Sequence, residues 1–372
     1  MRRLTPTLIA ASVAMLGLAA TPALATGAGG QSGAHRQNDR AHGTFDHLYV
    51  IMLENHSQSS VIGDVNAPFM NSLAEKYATA TNYYGVTHPS MPNYIATIAG
   101  DNFGIQDDED ENVVNLDRPN LAQQLTSAHI PWGAYMEDLP ANKLDRYGPG
   151  TAKLYAKKHN PFVLFDSVKK SPSEMAKVKD YSALRADLNS SSAPKFLWIS
   201  PNQCNDMHGG VYAPVTGHPE TPCPYGSTKD DANDASLKQK ADAFVKDAVT
   251  TIMDSAAWTK KSAIVIVTDE NDYTGNAETG GWESADGCCG SPYVAAHDPR
   301  VSADWPGGTY GGGKIPAIIV TGDGPHHVVD NTPYNHYSLL TTIEQNWGLG
   351  YLGHAGESAE GVVPMWKTFA RK

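Results

Sequence analysis

The sequence predicts an α/β protein in which helices cover both faces of a mostly parallel sheet. Apolar runs of strand length alternate with segments of helical periodicity along the chain. The runs 263–267 and 315–320 are rich in β-branched residues, which is typical of strands buried on both faces. Polar side chains follow several of the runs directly, and ligands bind at that edge of a parallel sheet.

The predicted strands are, in chain order, 47–53, 130–136, 196–200, 263–267 and 315–320. The predicted helices are 90–99, 121–128, about 234–256 and a last one around 339–347. We expect Ser90 to be the N-cap of the first helix, with Pro92 in its first turn. Gly348 and Gly350 are expected to end the last helix.

Two long segments rich in glycine and proline, about 209–233 and 271–313, interrupt this pattern. Loops of this length inside a domain are usually functional. Both leave from strands that carry polar groups at their ends, so we expect them to form the walls of a pocket.

The N-terminus reads as a secretion signal. Arg2 and Arg3 precede an apolar run, and 23–25 is a small-residue cleavage site, so cleavage is expected after Ala25. Residues 26–44 are almost wholly polar and are expected to be a flexible leader. Residues 45–372 are expected to form one domain, and the apolar run is too short for a membrane span.

The formal net charge is −12. A charge of this sign argues against binding a nucleic acid backbone, which needs a basic face. It also argues against electrostatic docking on anionic membranes, and no later segment is apolar enough for stable membrane insertion. The sequence does not indicate an oligomeric state.

The four cysteines suggest disulfides in an exported chain. We favour a Cys204–Cys223 bridge, which leaves Cys288 and Cys289 as a vicinal pair. Crossed pairing of the same cysteines is the alternative. A thiolate zinc site competes less well, because no Cys-x-x-Cys spacing is present.

Oxygen-bearing side chains stand at the ends of two predicted strands. Glu54 and Asn55 follow the first strand, and Asp269 and Glu270 follow the fourth. Adjacent acids at the end of an apolar strand are costly unless they pair or bind a cation. With the hydroxyl of Ser90 they make a ligand set for one hard or borderline divalent ion, although capping and solvated turns would also explain them singly.

Ser90 is the candidate nucleophile. A hydroxyl at a helix N-terminus lies in a positive field, and a neighbouring cation lowers its pKa. An isolated serine at this position would more often be only a cap. The acidic run Asp107–Glu111 is expected to be a solvated loop.

Three of the 14 histidines lie at element boundaries near the predicted site, namely His159, His208 and His336. An imidazole there could protonate a leaving alcohol or hold phosphate oxygens. A lone histidine is more often structural, so these assignments depend on the other site residues.

The chain resembles the secreted phosphoesterase family of bacterial acid phosphatases and non-specific phospholipases C, and is most similar to the small acid phosphatases. The resemblance lies in an ordered set of motifs from about 46 to 349, namely Glu54–Ser57, Ala67–Leu73, Thr87–Tyr94, Lys158–Phe162, Asn205–His208, Thr268–Glu270 and His336–Glu344. Two departures stand out. Tyr94 occupies a position where the phospholipases usually have arginine, and the segment of about 276–313 is longer than in the small acid phosphatases.

The resemblance implies an alkaline-phosphatase-like α/β/α sandwich and one divalent metal ion. The implied metal ligands are Glu54, Asn55, Ser90, Asp269 and Glu270. It further implies that Ser90 is transiently phosphorylated and that His159, His208 and His336 contact phosphate or protonate the leaving group. The metal remains open among calcium, magnesium, manganese and zinc.

The leading hypothesis is therefore a secreted, metal-dependent acid phosphatase that hydrolyses small phosphate monoesters through a phosphoserine intermediate. The second hypothesis is a phospholipase C-type phosphodiesterase acting on phospholipid headgroups, with the same site and a different pocket. A third hypothesis, from another class, is an exported binding protein without turnover.

Overall fold

The computed structural model describes residues 45–109, 116–148, 153–226, 231–272, 285–301, 305–324 and 326–369. The predicted signal peptide 1–25 and leader 26–44 lie outside these residues, so both stay predictions, as does the single domain 45–372.

Fifteen strands lie in the described ranges: β1 His47–Leu53, β2 Ala78–Ala80, β3 Tyr83–Tyr84, β4 Trp132–Met136, β5 Tyr147–Gly148, β6 Tyr155–Ala156, β7 Val178–Asp180, β8 Phe196–Ser200, β9 Ser262–Thr268, β10 Tyr293–Val294, β11 Gly308–Thr309, β12 Lys314–Ile315, β13 Ala317–Thr321, β14 Val328–Asp330 and β15 Tyr334–Asn335. The α-helices of the same ranges are α1 Gln58–Val61, α2 Pro68–Lys76, α3 Ser90–Ala99, α4 Leu121–Ser127, α5 Asp166–Lys169, α6 Pro172–Met175, α7 Leu184–Leu188, α8 Ala232–Met253, α9 His336–Trp347 and α10 Trp366–Phe369. Short 3-10 helices cover Lys157–His159, Pro161–Leu164, Tyr181–Ala183 and Ser358–Glu360.

Eight strands form the central sheet in the order β14, β2, β13, β9, β1, β8, β4, β7. The pairs are parallel except for those of β13, which runs antiparallel to both β9 and β2. The chain leaves β9 at the edge that carries Asp269 and enters β13 from that same edge. The prediction of a mostly parallel sheet is therefore confirmed, with this one reversed strand.

Helices cover both faces of the sheet, which confirms the α/β/α sandwich. Alternate residues of β1 point to opposite faces. Leu48, Val50 and Met52 pack in the cluster that holds α3, α4 and α9. The intervening Tyr49 and Ile51 pack with α2, α7 and α8. β1 is thus buried on both sides at the centre of the domain, and its end is fixed in position.

Most predicted elements appear with small shifts at their ends. The strands at 47–53 and 196–200 and the helix at 90–99 have the predicted bounds. The expected strand at 315–320 is divided, because Pro316 lacks an N–H and separates β12, which pairs with β3, from β13. Gly348 ends α9 in the left-handed conformation, as predicted.

The expectation that Ser90 caps α3 is wrong. Pro89 is the N-cap residue, in an extended conformation, and Ser90 is the first helical residue. The Ser90 hydroxyl therefore does not satisfy the amides of the helix end. It donates to the carboxylates of Glu54 and Glu270, which lie beyond the ends of β1 and β9.

None of the helices in the part of the chain that the structure describes combines the length and the apolar character needed to cross a bilayer.

Glu344 on α9 is a buried acid away from the strand-end carboxylates. Its Oε1 accepts hydrogen bonds from Leu352 N (2.9 Å) and Gln124 Nε2 (3.2 Å), and burial raises the pKa of Glu344 to about 8. Because the folded state holds this proton more tightly than the unfolded chain, stability falls as pH rises from about 4.5 to about 8.

We expect Glu344→Gln to flatten this pH dependence. Between pH 5.5 and pH 8 the variant should lose about 1–3 kcal/mol less unfolding free energy than the wild type in urea titrations. Glu75→Gln, at an exposed position of α2, is the matched control and should follow the wild type. Parallel curves for Glu344→Gln and the wild type would contradict the assigned shift.

Candidate active site

The ends of β1 and β9 bring the predicted oxygen groups together. The two strands are parallel neighbours with Leu53 opposite Thr268, so the residues that follow them lie side by side. Asn55 N donates a hydrogen bond to Asp269 Oδ1 at 3.0 Å, across 214 positions of sequence. Glu54 and Asp269 are both completely buried.

Ser90 lies between the two strand ends. Its Oγ is 2.8 Å from Glu54 Oε2 and 3.2 Å from Glu270 Oε1, so the hydroxyl proton has a carboxylate acceptor on either side. The serine is at the first position of α3, where backbone N–H groups of the helix end can face an anion. A hydroxyl oxygen, carboxylates and a helix N-terminus thus share one small volume.

Glu270 is held by His88 of the segment that precedes α3 and by Asn93 in the first turn of α3. His88 Nδ1 contacts Glu270 Oε2 at 2.6 Å, and Asn93 Nδ2 lies 3.4 Å from the same oxygen. Asn93 also fixes that segment, because its Oδ1 accepts hydrogen bonds from Val86 N and Thr87 N. The sequence of this segment therefore positions both the serine and the acid that it contacts.

His159 stands behind Glu54, away from solvent. Its Nε2 is 3.1 Å from Glu54 Oε1 and its Nδ1 is 3.2 Å from Asp206 Oδ2. The ring stacks on Tyr94, with 5.3 Å between ring centroids. Both imidazole nitrogens thus face carboxylates, and the ring orients Glu54.

His336 has a similar place behind Asp269. Its Nε2 is 2.6 Å from the backbone oxygen of Asp269, and its Nδ1 is 3.2 Å from the hydroxyl of Tyr83. The residue is completely buried. As the first residue of α9, which Asn335 caps, it connects a helix end to the end of β9.

His208 is the one predicted histidine of the three that is partly exposed. Its Nδ1 is 3.0 Å from Gly209 O, and its Nε2 is 3.4 Å from Lys158 Nζ. The ring lies 5.5 Å from that of His159, measured between centroids. His208 therefore stands at the boundary between the buried carboxylates and an open cleft.

Asp108 departs from the expectation of a solvated acidic loop. Its Oδ1 accepts a hydrogen bond from Met91 N at 3.0 Å, and its Oδ2 is 2.7 Å from Lys158 Nζ. It therefore belongs to the wall of the site. Asp110 and Glu111 of the same run lie outside the described residues.

Burial and mutual repulsion make the carboxylates of the site costly to ionise. Burial raises the pKa of Glu54 and Asp269 well above the usual range, and the charges of Asp269 and Glu270, respectively, add to the shift. Burial and the charge of Asp108 do the same for the pKa of Glu270. The charge of Lys158 lowers the pKa of all three carboxyl groups. A single ammonium does not offset the burial and mutual repulsion that raise these pKa values.

The histidines are neutral around this group. Burial, followed by the charge of Lys158, lowers the pKa of His208 to about 4. Burial lowers the pKa of His88 and of His336 to about 4 as well, and that of His159 well below its ordinary value. Neutral imidazoles add no charge to offset the carboxylates, so a bound cation would stabilise the arrangement.

Two buried oxygens of the predicted ligand set have no hydrogen bond from any described residue, namely Asn55 Oδ1 and Asp269 Oδ2, whereas Glu54 Oε1 has the contact with His159 Nε2 at 3.1 Å. Orphaned acceptors of this kind are rare in folded proteins. They fit a cation that would take oxygen ligands. Glu54 also forms a group with His159 and His208, whose ligand atoms lie within 4.8 Å of one another and could hold a metal ion.

The glycine-rich end of the predicted wall packs directly against the site. A Cβ at Gly85 would be 2.7 Å from the backbone oxygen of Asp269 and 2.8 Å from the Cα of Gly312. Asn271 N also donates a hydrogen bond to Gly312 O at 2.8 Å. Close approach of these backbones requires glycine, which explains the composition of this segment.

The cysteines form two disulfides, Cys204–Cys223 and the vicinal Cys288–Cys289. The favoured pairing is thus confirmed, and no cysteine is left for a thiolate metal site, since none of the four is free. The side chain of Asn335 donates hydrogen bonds to the carbonyls of both Cys288 and Cys289. The vicinal pair is therefore attached to the cap of α9, next to His336.

Several residues of the site had no role in the sequence analysis. Four of them lie inside motifs on which the family resemblance depends, and this position was the available signal. They are His88, Asn93, Lys158 and Asp206. Asp108 had none, because an acidic run in a loop is most often solvated.

Comparisons with known proteins agree with this geometry. Residues 64–219 and 224–350 match the Phosphoesterase family. The chain is 27% identical over 314 residues to the phosphate-repressible acid phosphatase of Penicillium chrysogenum, covering 83% of this chain and 60% of that protein. It is 28% identical over 326 residues to the phosphatidylinositol-3-phosphatase of Mycobacterium tuberculosis, covering 87% of this chain and 83% of that protein.

The fold is similar to that in the crystal structure of Ps i-CgsB, with a TM-score of 0.50 and 13% sequence identity, over 87% of this chain and 76% of the other. That likeness concerns the fold alone. The chain spans about 60% of the length of the fungal phosphatase above. Because the family match extends over well more than half of the sequence, the protein belongs to the Phosphoesterase family.

Proposed function

We propose that the protein hydrolyses phosphate monoesters, with Ser90 as the nucleophile. The observation that carries this proposal is the position of Ser90 Oγ, between Glu54 and Glu270 and at the first turn of α3. A serine in this setting can attack a phosphorus atom whose oxygens face the helix end. Acid phosphatases among the relatives support the same reaction.

The residues that would hold the divalent cation are Glu54, Asn55, Ser90, Asp269 and Glu270. Bound there, the cation would lower the pKa of the serine hydroxyl and offset the negative charge of substrate and carboxylates. The orphaned oxygens of Asn55 and Asp269 support this set.

In the first step, a bond forms between Ser90 Oγ and phosphorus while the bond from phosphorus to the alcohol oxygen breaks. The hydroxyl proton moves to a neighbouring carboxylate oxygen, and the departing alcohol oxygen takes a proton from water in the cleft. The carboxyl group returns its proton to the serine oxygen in the second step. In the second step, water attacks the phosphoserine and releases inorganic phosphate. Two in-line displacements of this kind regenerate the free serine.

We assign different roles to the three histidines. His208 is partly exposed and borders the cleft, so it is placed to contact phosphate. His159 and His336 are buried, with both ring nitrogens in contact with protein atoms, so they position Glu54 and Asp269. Lys158 supplies a fixed positive charge beside the phosphate.

We also propose that the protein is secreted, with cleavage after Ala25. The two disulfides support this, because such bonds persist in oxidising compartments.

The test is an assay of the purified protein with a divalent cation on p-nitrophenyl phosphate and on phosphatidylcholine. We expect faster release of p-nitrophenol than of phosphocholine. Faster cleavage of the phosphodiester would instead support the phospholipase C-type activity. Binding of inorganic phosphate without turnover of either substrate would support the binding-protein hypothesis and contradict the proposal.

A further inference from the structure

We propose that a basic cleft beside the site binds a second anionic group of the substrate, so that the enzyme prefers monoesters whose alcohol part carries another phosphate or carboxylate. This inference rests on the proposed function. The basic cleft has a volume of about 160 Å³. Its lining includes Arg146, Tyr147, Lys157, Lys158, Gln203 and His208.

A chain of contacts links the basic cleft to the nucleophile. Met91, the residue after Ser90, donates its backbone N–H to Asp108 Oδ1, and Asp108 Oδ2 contacts Lys158 Nζ. Lys158 in turn lies 3.4 Å from His208 Nε2. A phosphate at Ser90 therefore has Lys158 and His208 next to it, and the rest of the substrate extends into the basic cleft.

The charge of this lining is opposite to that of the whole protein. The chain has a formal net charge of −12, yet Arg146, Lys157 and Lys158 line one cleft in which Asp108 is the acidic lining residue that the structure describes. Lys158 lies close enough to contact the phosphate that reacts. An uncharged leaving group would therefore gain nothing from Arg146 and Lys157. Concentrated positive charge in a cleft raises the local concentration of an anionic ligand.

Arg146 is placed at the exposed side of the basic cleft, where it can contact such a ligand. Its Nη2 contacts Glu109 Oε2 at 3.0 Å, but the side chains are 39% and 58% exposed, respectively. Exposed pairs of this kind contribute little, and a guanidinium binds phosphate or carboxylate in a bidentate manner. A substrate anion can therefore replace Glu109 at small cost.

The Tyr147 ring contacts two cations, Arg146 and Lys153. The Arg146 guanidinium lies 5.7 Å from the centroid of the Tyr147 ring, and the Lys153 ammonium lies 4.9 Å from it. Two cations against one aromatic ring are ordered before a ligand arrives. This ordering reduces the entropy lost when the second anion binds.

The test compares fructose 1,6-bisphosphate with fructose 6-phosphate and p-nitrophenyl phosphate, measured as phosphate release. We expect kcat/KM to be about 10-fold higher for the bisphosphate than for fructose 6-phosphate at low salt, and less so at high salt. Arg146→Ala and Lys157→Ala should each reduce this preference about 10-fold, mainly through KM, and leave the other two substrates within two-fold. Arg185→Ala, on α7, is the matched control and should not change any of them.

Equal kcat/KM for the two sugar phosphates in the wild type would overturn this inference alone, as would an Arg146→Ala variant that loses activity equally on all three substrates. Absence of turnover on p-nitrophenyl phosphate would overturn the proposed function and this inference together.

Discussion

Replacing Ser90 with alanine is expected to reduce turnover of p-nitrophenyl phosphate by at least about 10³-fold. The variant lacks the oxygen that attacks phosphorus, and the carboxylates that contact this oxygen cannot replace it. Because the Ser90 hydroxyl does not cap α3, the helix keeps its N-cap residue Pro89 and the fold should survive. Circular dichroism and thermal unfolding check that point.

Ser255→Ala is the matched control for Ser90→Ala. Ser255 is also buried, and its Oγ donates a hydrogen bond to Ile252 O just beyond α8, so its loss removes a hydroxyl without touching the site. Its kcat should remain within about two-fold of the wild type. Mass spectrometry of acid-quenched wild-type enzyme should find phosphate on Ser90. A Ser90→Ala protein that retains wild-type turnover would refute the nucleophile assignment.

Asp269→Asn is expected to have opposite effects on activity and on stability. Activity should fall by about 10³-fold, because the variant loses a charged ligand of the proposed cation. In the cation-free protein, however, the unfolding free energy should rise by about 1–3 kcal/mol at neutral pH. The asparagine still accepts the hydrogen bond from Asn55 N, and it no longer adds a charge next to Glu270.

The sign of the stability effect follows from the pKa. Burial and the charge of Glu270 raise the pKa of Asp269 well above its usual value, so ionising it costs stability above the unfolded pKa of about 4. That cost grows until the pH reaches the raised folded value and is constant above it, and asparagine removes it. Asp254→Asn, at an exposed position after α8, is the control and should change neither quantity. A destabilised, cation-free Asp269→Asn would contradict the repulsion described here.

The strand ends could be predicted from the sequence because they depend on local signals. A buried parallel strand is an apolar run, and the first polar residues after it must lie at the edge of the sheet. Glu54 and Asp269 were located in this way. The sequence pattern does not show that β1 and β9 are neighbours, because the order of strands depends on which helices pack on which face of the sheet.

The other differences arise from interactions between segments. A preference for serine at helix caps favoured Ser90 as the cap, whereas Pro89 takes that position and the hydroxyl bonds to Glu54. Asp108 has the composition of a solvated run, and only the approach of Lys158 and of Met91 N makes it part of the site. β13 starts at the edge of the sheet where β9 ends and so runs antiparallel to it, an arrangement that residue propensities do not encode.

The metal content of the purified protein tests most directly the proposed cation site between the ends of β1 and β9. Wild-type protein that has been stripped with a chelator, reloaded with a divalent ion and desalted should contain one equivalent per chain and regain turnover in proportion. Asp269→Asn treated in the same way should contain less than about a tenth of an equivalent, with Asp254→Asn equal to the wild type. Full turnover by stripped wild-type protein, or equal metal content in Asp269→Asn, would contradict a cation held between the ends of β1 and β9.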